Sequence, residues 1–462
     1  MNSNINKALD YAAQHNDDFL RALSDFLTIE TISTDSNHAA DMLRGAQWVE
    51  ERLKHLGAAE TRLIETSRHP LVYGFISEAG PDKPTVLVYG HYDVQPPDPL
   101  DEWKYKPFSP TIEAGQLYAR GASDMKGQMM LVFSAVESAR SAGRAPVNFK
   151  FIIEGQEEIG SPGVREALIE NKHLFQSDFV LNLDAGMISK DKPTIVVGLR
   201  GLAYFELTLK GFGKDLHSGV FGGVVSNPLN ALCQVLAGMK DAHGVIQLPG
   251  FYDDVLPLSD DERESLKQLG MDDEYFLEQT GAKELWGEKG FSPVERAGAR
   301  PTLDVHGIMG GYTGEGPKTV IPAQATAKLS MRLVPRQTPE QVEKQLIAFM
   351  EKNVPATMVW ELKKFSSEPA SLSDRTFFAT RCFAQSLEKI FGKPPVYERS
   401  GGSIPMVGHL KEVLQLESIL SGFSLPEDNI HSPNEKLDLD IFKKGIETVI
   451  HFLFDLGEKC GS

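Results

Sequence analysis

The sequence predicts an α/β protein, a mostly parallel sheet covered by helices, with a smaller α+β domain inserted into it. Three observations carry this reading. Between residues 69 and 198, short β-branched and aromatic runs alternate with helical stretches, the rhythm of βαβ units. Near 199 the character changes: GLAYFELTLKG (201–211) alternates apolar and polar residues, as a half-exposed strand does. After about 370 the earlier style resumes. At 462 residues the chain is too long for one ordinary core. The expected division is one discontinuous domain, 1–198 and 371–462, with 199–370 as the insertion.

Taken in order, residues 4–28 place Ile5, Leu9, Ala12, Phe19, Leu20, Leu23, Phe26 and Leu27 at helical spacing. A second helix is expected over 38–56. TVLVYG (85–90), NFKFIIEGQ (148–156), DFVLNL (178–183) and TIVVG (194–198) read as buried strands. In the insertion, 201–211 reads as a strand at an exposed edge, Pro228 to about Met239 as a helix, and 242–300 as irregular with short helical pieces. Strands follow near 302–308, at TAKLSMRLV (326–334) and at TMVWELKKF (357–365), with a helix opening at Thr338. Helices at about 373–391 and 438–457 frame a Gly-rich turn, SGGSIP (400–405).

Composition narrows the function classes. The formal net charge is −17, which argues against nucleic acid or an anionic membrane as the main partner. No run of about 18 apolar residues predicts a membrane span. The N-terminal stretch lacks the basic and apolar regions of a secretory signal, and Cys233, Cys382 and Cys460 form no CxxC or Cys/His cluster. A reducing, cytoplasmic setting is expected.

The chemistry gathers at strand ends. TVLVYG runs into His91 and Asp93, FIIEGQ into Glu157 and Glu158, and DFVLNL into Asp184. Asp124 lies between the first two, in GASDMKG (121–127). Ligands of open α/β sheets bind outside the carboxyl ends of the strands. Carboxylates crowded there repel one another unless a cation neutralises them, and a pair of divalent metals is the economical choice. Singly, each residue has a bland alternative. Asp124 could be an Asx turn or helix cap, His91 and Asp93 a surface pair, Glu157–Glu158 a solvated turn, and His431 a loop histidine.

Together the stretches GHYDVQP (90–96), RGASDMKG (120–127), EGQEEIGS (154–161), LDAG (183–186), DLHSG (215–219), KTVIPAQATAKLSMRLVP (318–335), GGSIP (401–405) and HSPNEKL (431–437) resemble the M20 family of co-catalytic metallopeptidases over nearly the whole chain. The resemblance implies a two-metal hydrolase in which Asp124 bridges the ions, His91 and Asp184 complete one, and Glu158 and His431 the other. Asp93 would orient His91, and the Asp124–Met125 peptide would be cis. Glu157 would be the general base, taking a proton from the attacking water and returning it to the departing amine. The inserted domain would act as lid and dimerisation domain. Its His217 would stabilise the oxyanion of a neighbouring subunit's site. Arg332 would hold the substrate carboxylate, with Thr319, Ser403 and Gly402 as further contacts. Zinc suits the His/carboxylate set, with manganese as the alternative.

Aspartate at 184, where the carboxypeptidase and desuccinylase branches usually carry Glu, resembles the dipeptidase and aminopeptidase branches, as does the long segment 242–300. The expected function is therefore a metal-dependent dipeptidase acting as a homodimer. The alternatives are an N-acyl amino acid deacylase or carboxypeptidase of the same family, and a catalytically silent peptide-binding protein. Other signals are set aside. In GYTGEGPKT (311–319) Pro317 separates Gly316 from Lys318, so it is no phosphate loop. GASDM lacks the second glycine of a nucleophile elbow, no HExxH occurs, and His306 is expected to be structural.

Overall fold

A computed structural model describes residues 3–402 and 404–459. Ser403 and Cys460 lie outside the described residues. The chain divides into two compact units, Met1–Val197 with Ser373–Tyr397 and Ile404–Ser462, and Gly198–Leu372 with Glu398–Ser403.

The first unit is built on a twisted sheet. Its strands lie in the spatial order Glu60–Ile64, Leu71–Ile76, Asn148–Glu154, Thr85–His91, Phe179–Asn182, Ser418–Ser421 and Thr194–Leu199. The four central strands, from Asn148–Glu154 to Ser418–Ser421, pair in parallel. Those outside them pair antiparallel. The sheet is thus mixed rather than mostly parallel. An apolar run reports that a strand is buried on both faces but not its direction, so the antiparallel margins were invisible in the sequence.

Helices cover both faces. The helix Lys126–Ser141 is buried along nearly its whole length, and the main core joins it to the helices Phe378–Phe391 and Leu439–Lys459. Phe133 and Phe151 meet edge to face at 5.9 Å. Each such fully buried side chain contributes about 1.5–3 kcal/mol relative to leaving it in water. The N-terminal helical stretch is broken in two, Ser3–Gln14 and Asn16–Leu27. His15 sits at the break, stacked on Tyr11 with its Nδ1 2.9 Å from the Tyr11 carbonyl.

The second unit is an antiparallel sheet in the order Thr302–Gly310, Gln324–Leu333, Gly201–Lys210, Val359–Glu368. Ala203, Phe205, Leu207 and Leu209 alternate with half-buried neighbours and pack with Leu329, Met331, Leu346 and Phe349. The helix Pro339–Asn353 that covers this face starts at Thr338, whose hydroxyl accepts from the Gln341 N–H and which is followed by Pro339. Two expectations are corrected here. Gly201–Lys210 is an interior strand, and the edges are Thr302–Gly310 and Val359–Glu368. Its alternation came from a sheet with one covered face, a pattern that edge and interior strands share. In addition, the segment Glu398–Ser403, expected with the first domain, groups with the second. The Arg200 backbone N–H and Nε donate to the Gly402 and Gly401 carbonyls at 3.1 Å, and Arg399 pairs with Glu262.

Candidate metal centre

The parallel register explains why the acids and imidazoles meet. His91 ends its strand opposite Glu154, and Tyr89 lies opposite Asn182. All three strands therefore finish at one edge. Two residues past Asn182 the chain reaches Asp184. Three residues past Glu154 it enters the short turn Glu157–Ile159. Asp124 arrives from the loop that starts the helix Lys126–Ser141, and the Asp124–Met125 peptide is cis.

Asp124 lies at the centre. Its Oδ1 is 3.1 Å from His91 Nε2, and its Oδ2 is 2.9 Å from His431 Nε2. His91 Nε2 is also 3.7 Å from Asp184 Oδ1, and His431 Nε2 is 3.3 Å from Glu158 Oε2. Two potential ligand groups result, His91–Asp124–Asp184 and Asp124–Glu158–His431, each with its ligand atoms within 4.8 Å of one another. The two oxygens of one carboxylate face different groups, as a bridging ligand requires.

The donor set fits two divalent ions. Glu158 Oε1 is buried with no hydrogen-bond partner, as a carboxylate oxygen meant for a cation would be. Burial pushes the Glu157, Glu158 and Asp184 carboxyls up. Although burial opposes it, hydrogen bonds from His431 and His91 hold Asp124 below the usual carboxylate range. Burial likewise opposes the His91 cation, yet the Asp124, Asp184 and Asp93 carboxylates hold it well above the ordinary imidazole range. His431 is raised to about 10 by its bonds to Asp124 and Glu158. A ligating imidazole must give its proton up, so metal binding at these groups is expected to release protons.

Asp93 does more than the sequence suggests. His91 Nδ1 is 3.1 Å from the Asp93 backbone carbonyl and 3.4 Å from Oδ1, so the main chain provides the closer partner. The carboxylate accepts instead from the Glu157 and Glu158 backbone N–H groups at 3.2 and 3.1 Å. It therefore fixes the turn that carries both acids to the strand bearing His91. Sequence reasoning missed two further partners. Gln95 Nε2 donates to Glu158 Oε2 at 2.7 Å. Glu435, within HSPNEKL, reaches the Asp124 loop. Gln95 stood inside the quoted GHYDVQP stretch, but an amide there carries no signal of its own.

The other candidates belong to the second unit. His217 pairs with Val320 in a short two-strand ladder and is exposed. Its Nδ1 accepts from the Gly219 N–H at 2.9 Å, which leaves Nε2 as the protonated nitrogen. The neighbouring Ser218 N–H donates to the Thr319 carbonyl at 3.1 Å, so Thr319 lies beside His217. Arg332 stands opposite Leu202 and Thr302 and is half-buried. The Gly402 carbonyl is engaged by the Arg200 backbone, and Ser403 is outside the described residues. His306 bonds Ser330 Oγ at 2.7 Å and stacks on Tyr204.

A carboxylate that bridges two imidazole- and acid-bearing groups, with a further glutamate beside them, defines a co-catalytic metallohydrolase on an α/β sheet. Residues 87–455 match the model of peptidase family M20/M25/M40, and the chain belongs to that family. It is 31% identical to the human Beta-Ala-His dipeptidase over 98% of this chain and 93% of that protein. It is also 31% identical to the Cys-Gly metallodipeptidase dug1 of Schizosaccharomyces pombe, over 99% of both chains. Among solved structures, the M20 family metallo-carboxypeptidase Sso-CP2 of Sulfolobus solfataricus superposes with a TM-score of 0.84 at 33% identity, over 95% of this chain and 99% of that one.

Proposed function

We propose that this protein is a metal-dependent dipeptidase with His91, Asp124 and Asp184 on one ion and Asp124, Glu158 and His431 on the other. The observation that carries the reading is Asp124, whose two oxygens reach two separate imidazoles. Dipeptide substrates follow from relatives that are named dipeptidases and match over nearly their full length. Zinc is the proposed metal, because mixed His/carboxylate donors with open positions suit it, and manganese is the competitor. A reducing cytoplasm suits the free thiols of Cys233 and Cys382. No described helix is long and apolar enough to cross a membrane.

Bound at these groups, two divalent ions would acidify a water and polarise the scissile carbonyl. Glu157 takes the proton of the attacking water and delivers it to the departing amine. Burial holds its carboxyl well above the usual carboxylate range, which favours its accepting a proton. His217 presents Nε2–H to the oxyanion, the tautomer set by the Gly219 bond. Arg332 holds the carboxylate at the far end of the dipeptide.

Substrate polarity tests this reading. If Arg332 holds the free carboxylate, amidating a dipeptide's C-terminus costs about 1.5–3 kcal/mol, as for a lost charged hydrogen bond. That is roughly a 10- to 150-fold drop in kcat/KM. Equal values for free and amidated dipeptides would rule the role out. The same assay with N-acyl amino acids and longer peptides addresses the second reading, a carboxypeptidase, which the likeness to Sso-CP2 favours. Faster turnover of longer peptides or acylated amino acids than of dipeptides would select it. A chelator-sensitive signal of either kind excludes a silent binding protein.

A homodimer joined through the second unit is also proposed, with His217 completing the partner's site. Exposed apolar side chains flank His217 in the chain, Val220, Phe221 and Val224, and others lie at Ile308, Met309 and Tyr312. Where exposed apolar side chains gather into one large patch they mark an interaction surface. Mixing Glu157→Gln chains with His217→Ala chains, each inactive, should restore activity. In the heterodimer one site then has a sound base and a sound histidine. Confirmed subunit exchange without recovered activity would place His217 on its own chain's site or on none.

A further inference from the structure

Glu435 is completely buried and sits four residues past His431. Its Oε1 accepts from the backbone N–H groups of Ser123 and Asp124 at 2.9 and 3.0 Å. Its Oε2 accepts from the Gly121 N–H at 2.9 Å and from Arg120 Nη1 at 2.8 Å. The Glu435 carbonyl accepts from the Ala119 N–H at 3.1 Å. Every one of these donors lies in the loop that delivers Asp124. The opposite end of the same short segment is His431, held at a left-handed φ of 60°, with Asn429 at 56° and Asn434 at 64°. A non-glycine residue there costs of order 1–3 kcal/mol and persists only where its surroundings over-determine it.

A second buried acid supports the same junction. Asp428 Oδ2 accepts from Ser123 Oγ at 3.0 Å and from the Leu425 N–H at 2.8 Å. It makes no bond to the Asp124 backbone that would compete with Glu435.

We propose that Glu435 is the positioning residue for the bridging ligand: its carboxylate fixes the Asp124 main chain so that one side chain faces both metal groups, and it ties that loop to the segment carrying His431. This inference rests on the two-metal reading above. The physical reason is a count of acceptors. Four donors converge on two oxygens, which only a carboxylate can satisfy. An amide would set its own NH₂ against two of them. Arg120 supplies the compensating charge and is itself held by the Pro96 carbonyl at 3.2 Å and lies over Trp103.

The test is a metal titration, with Zn²⁺ competed against a chromophoric chelator, on wild type, Glu435→Gln and Glu435→Asp. Partners that orient ligands typically alter metal affinity 10- to 100-fold. Glu435→Gln is expected to weaken both ions by that range. Glu435→Asp keeps both oxygens on a shorter arm and is expected to fall between Gln and wild type, whereas a general loss of stability would not restore affinity in that order. If Glu435→Gln fails to fold, as judged by circular dichroism of the apo form, the Asp variant carries the test. Wild-type affinity for both ions in either folded variant overturns the proposal. So does weakening of one ion alone, which would assign Glu435 to the His431 loop rather than to Asp124. A wild-type protein that binds neither Zn²⁺ nor Mn²⁺ would instead defeat the two-metal reading itself.

Discussion

Asp124→Ala should leave the protein without tightly bound metal and without measurable turnover. The carboxylate contacts His91 with one oxygen and His431 with the other, so its loss strips one donor from each group at once. Two donors remain on either side, His91 with Asp184 and Glu158 with His431. Even partners that do not touch a metal are worth 10–100-fold in affinity, and a shared ligand should exceed about 100-fold for each ion. The remaining imidazoles and carboxylates can neutralise one another by hydrogen bonding, so the apo fold should survive. Elemental analysis after desalting, beside a circular dichroism melt, checks both halves. Two ions still bound per chain in the variant would show that Asp124 is not the bridge.

Glu157→Gln should separate metal from chemistry. The amide keeps the size of the side chain but cannot accept a proton. Its neighbour Glu158 and the Asp93 bonds to the turn backbone are untouched. Metal content should stay at the wild-type level while kcat falls roughly 10²–10⁴-fold, the range for a general base. KM should change little, because the base acts on the water rather than on the bound peptide. Near-normal kcat would return the order of the Glu157–Glu158 pair to question, since the two acids leave the same turn.

Much of the candidate centre could be read from the chain because the feature that creates it is local. A buried strand announces itself by its apolar run, and the residue just past its end is the one the sheet edge presents. His91, the Glu157–Glu158 pair and Asp184 all stand at such ends. Their meeting needs only that the strands be parallel neighbours, which they are. Glu435 could not be found that way. It lies 311 residues from Asp124, and nothing in HSPNEKL shows which backbone its carboxylate will serve. The family resemblance makes Asp93 the residue that orients His91, but its bonds to the Glu157 and Glu158 amides depend on how the turn folds back.

The same division runs through the fold. The chain by itself determined the α/β class, the change of character near 199, and the strands that lead to His91, the Glu157–Glu158 pair and Asp184, because periodicity and burial are written into neighbouring residues. Only the tertiary structure decided strand direction at the sheet margins, the interior place of Gly201–Lys210, the grouping of Glu398–Ser403 with the second unit, and the bonds that aim Asp124. Those depend on pairings between segments far apart in sequence. Hydrogen-bond geometry settles such pairings once the segments meet, and a run of apolar residues does not name its partner strand or that strand's direction.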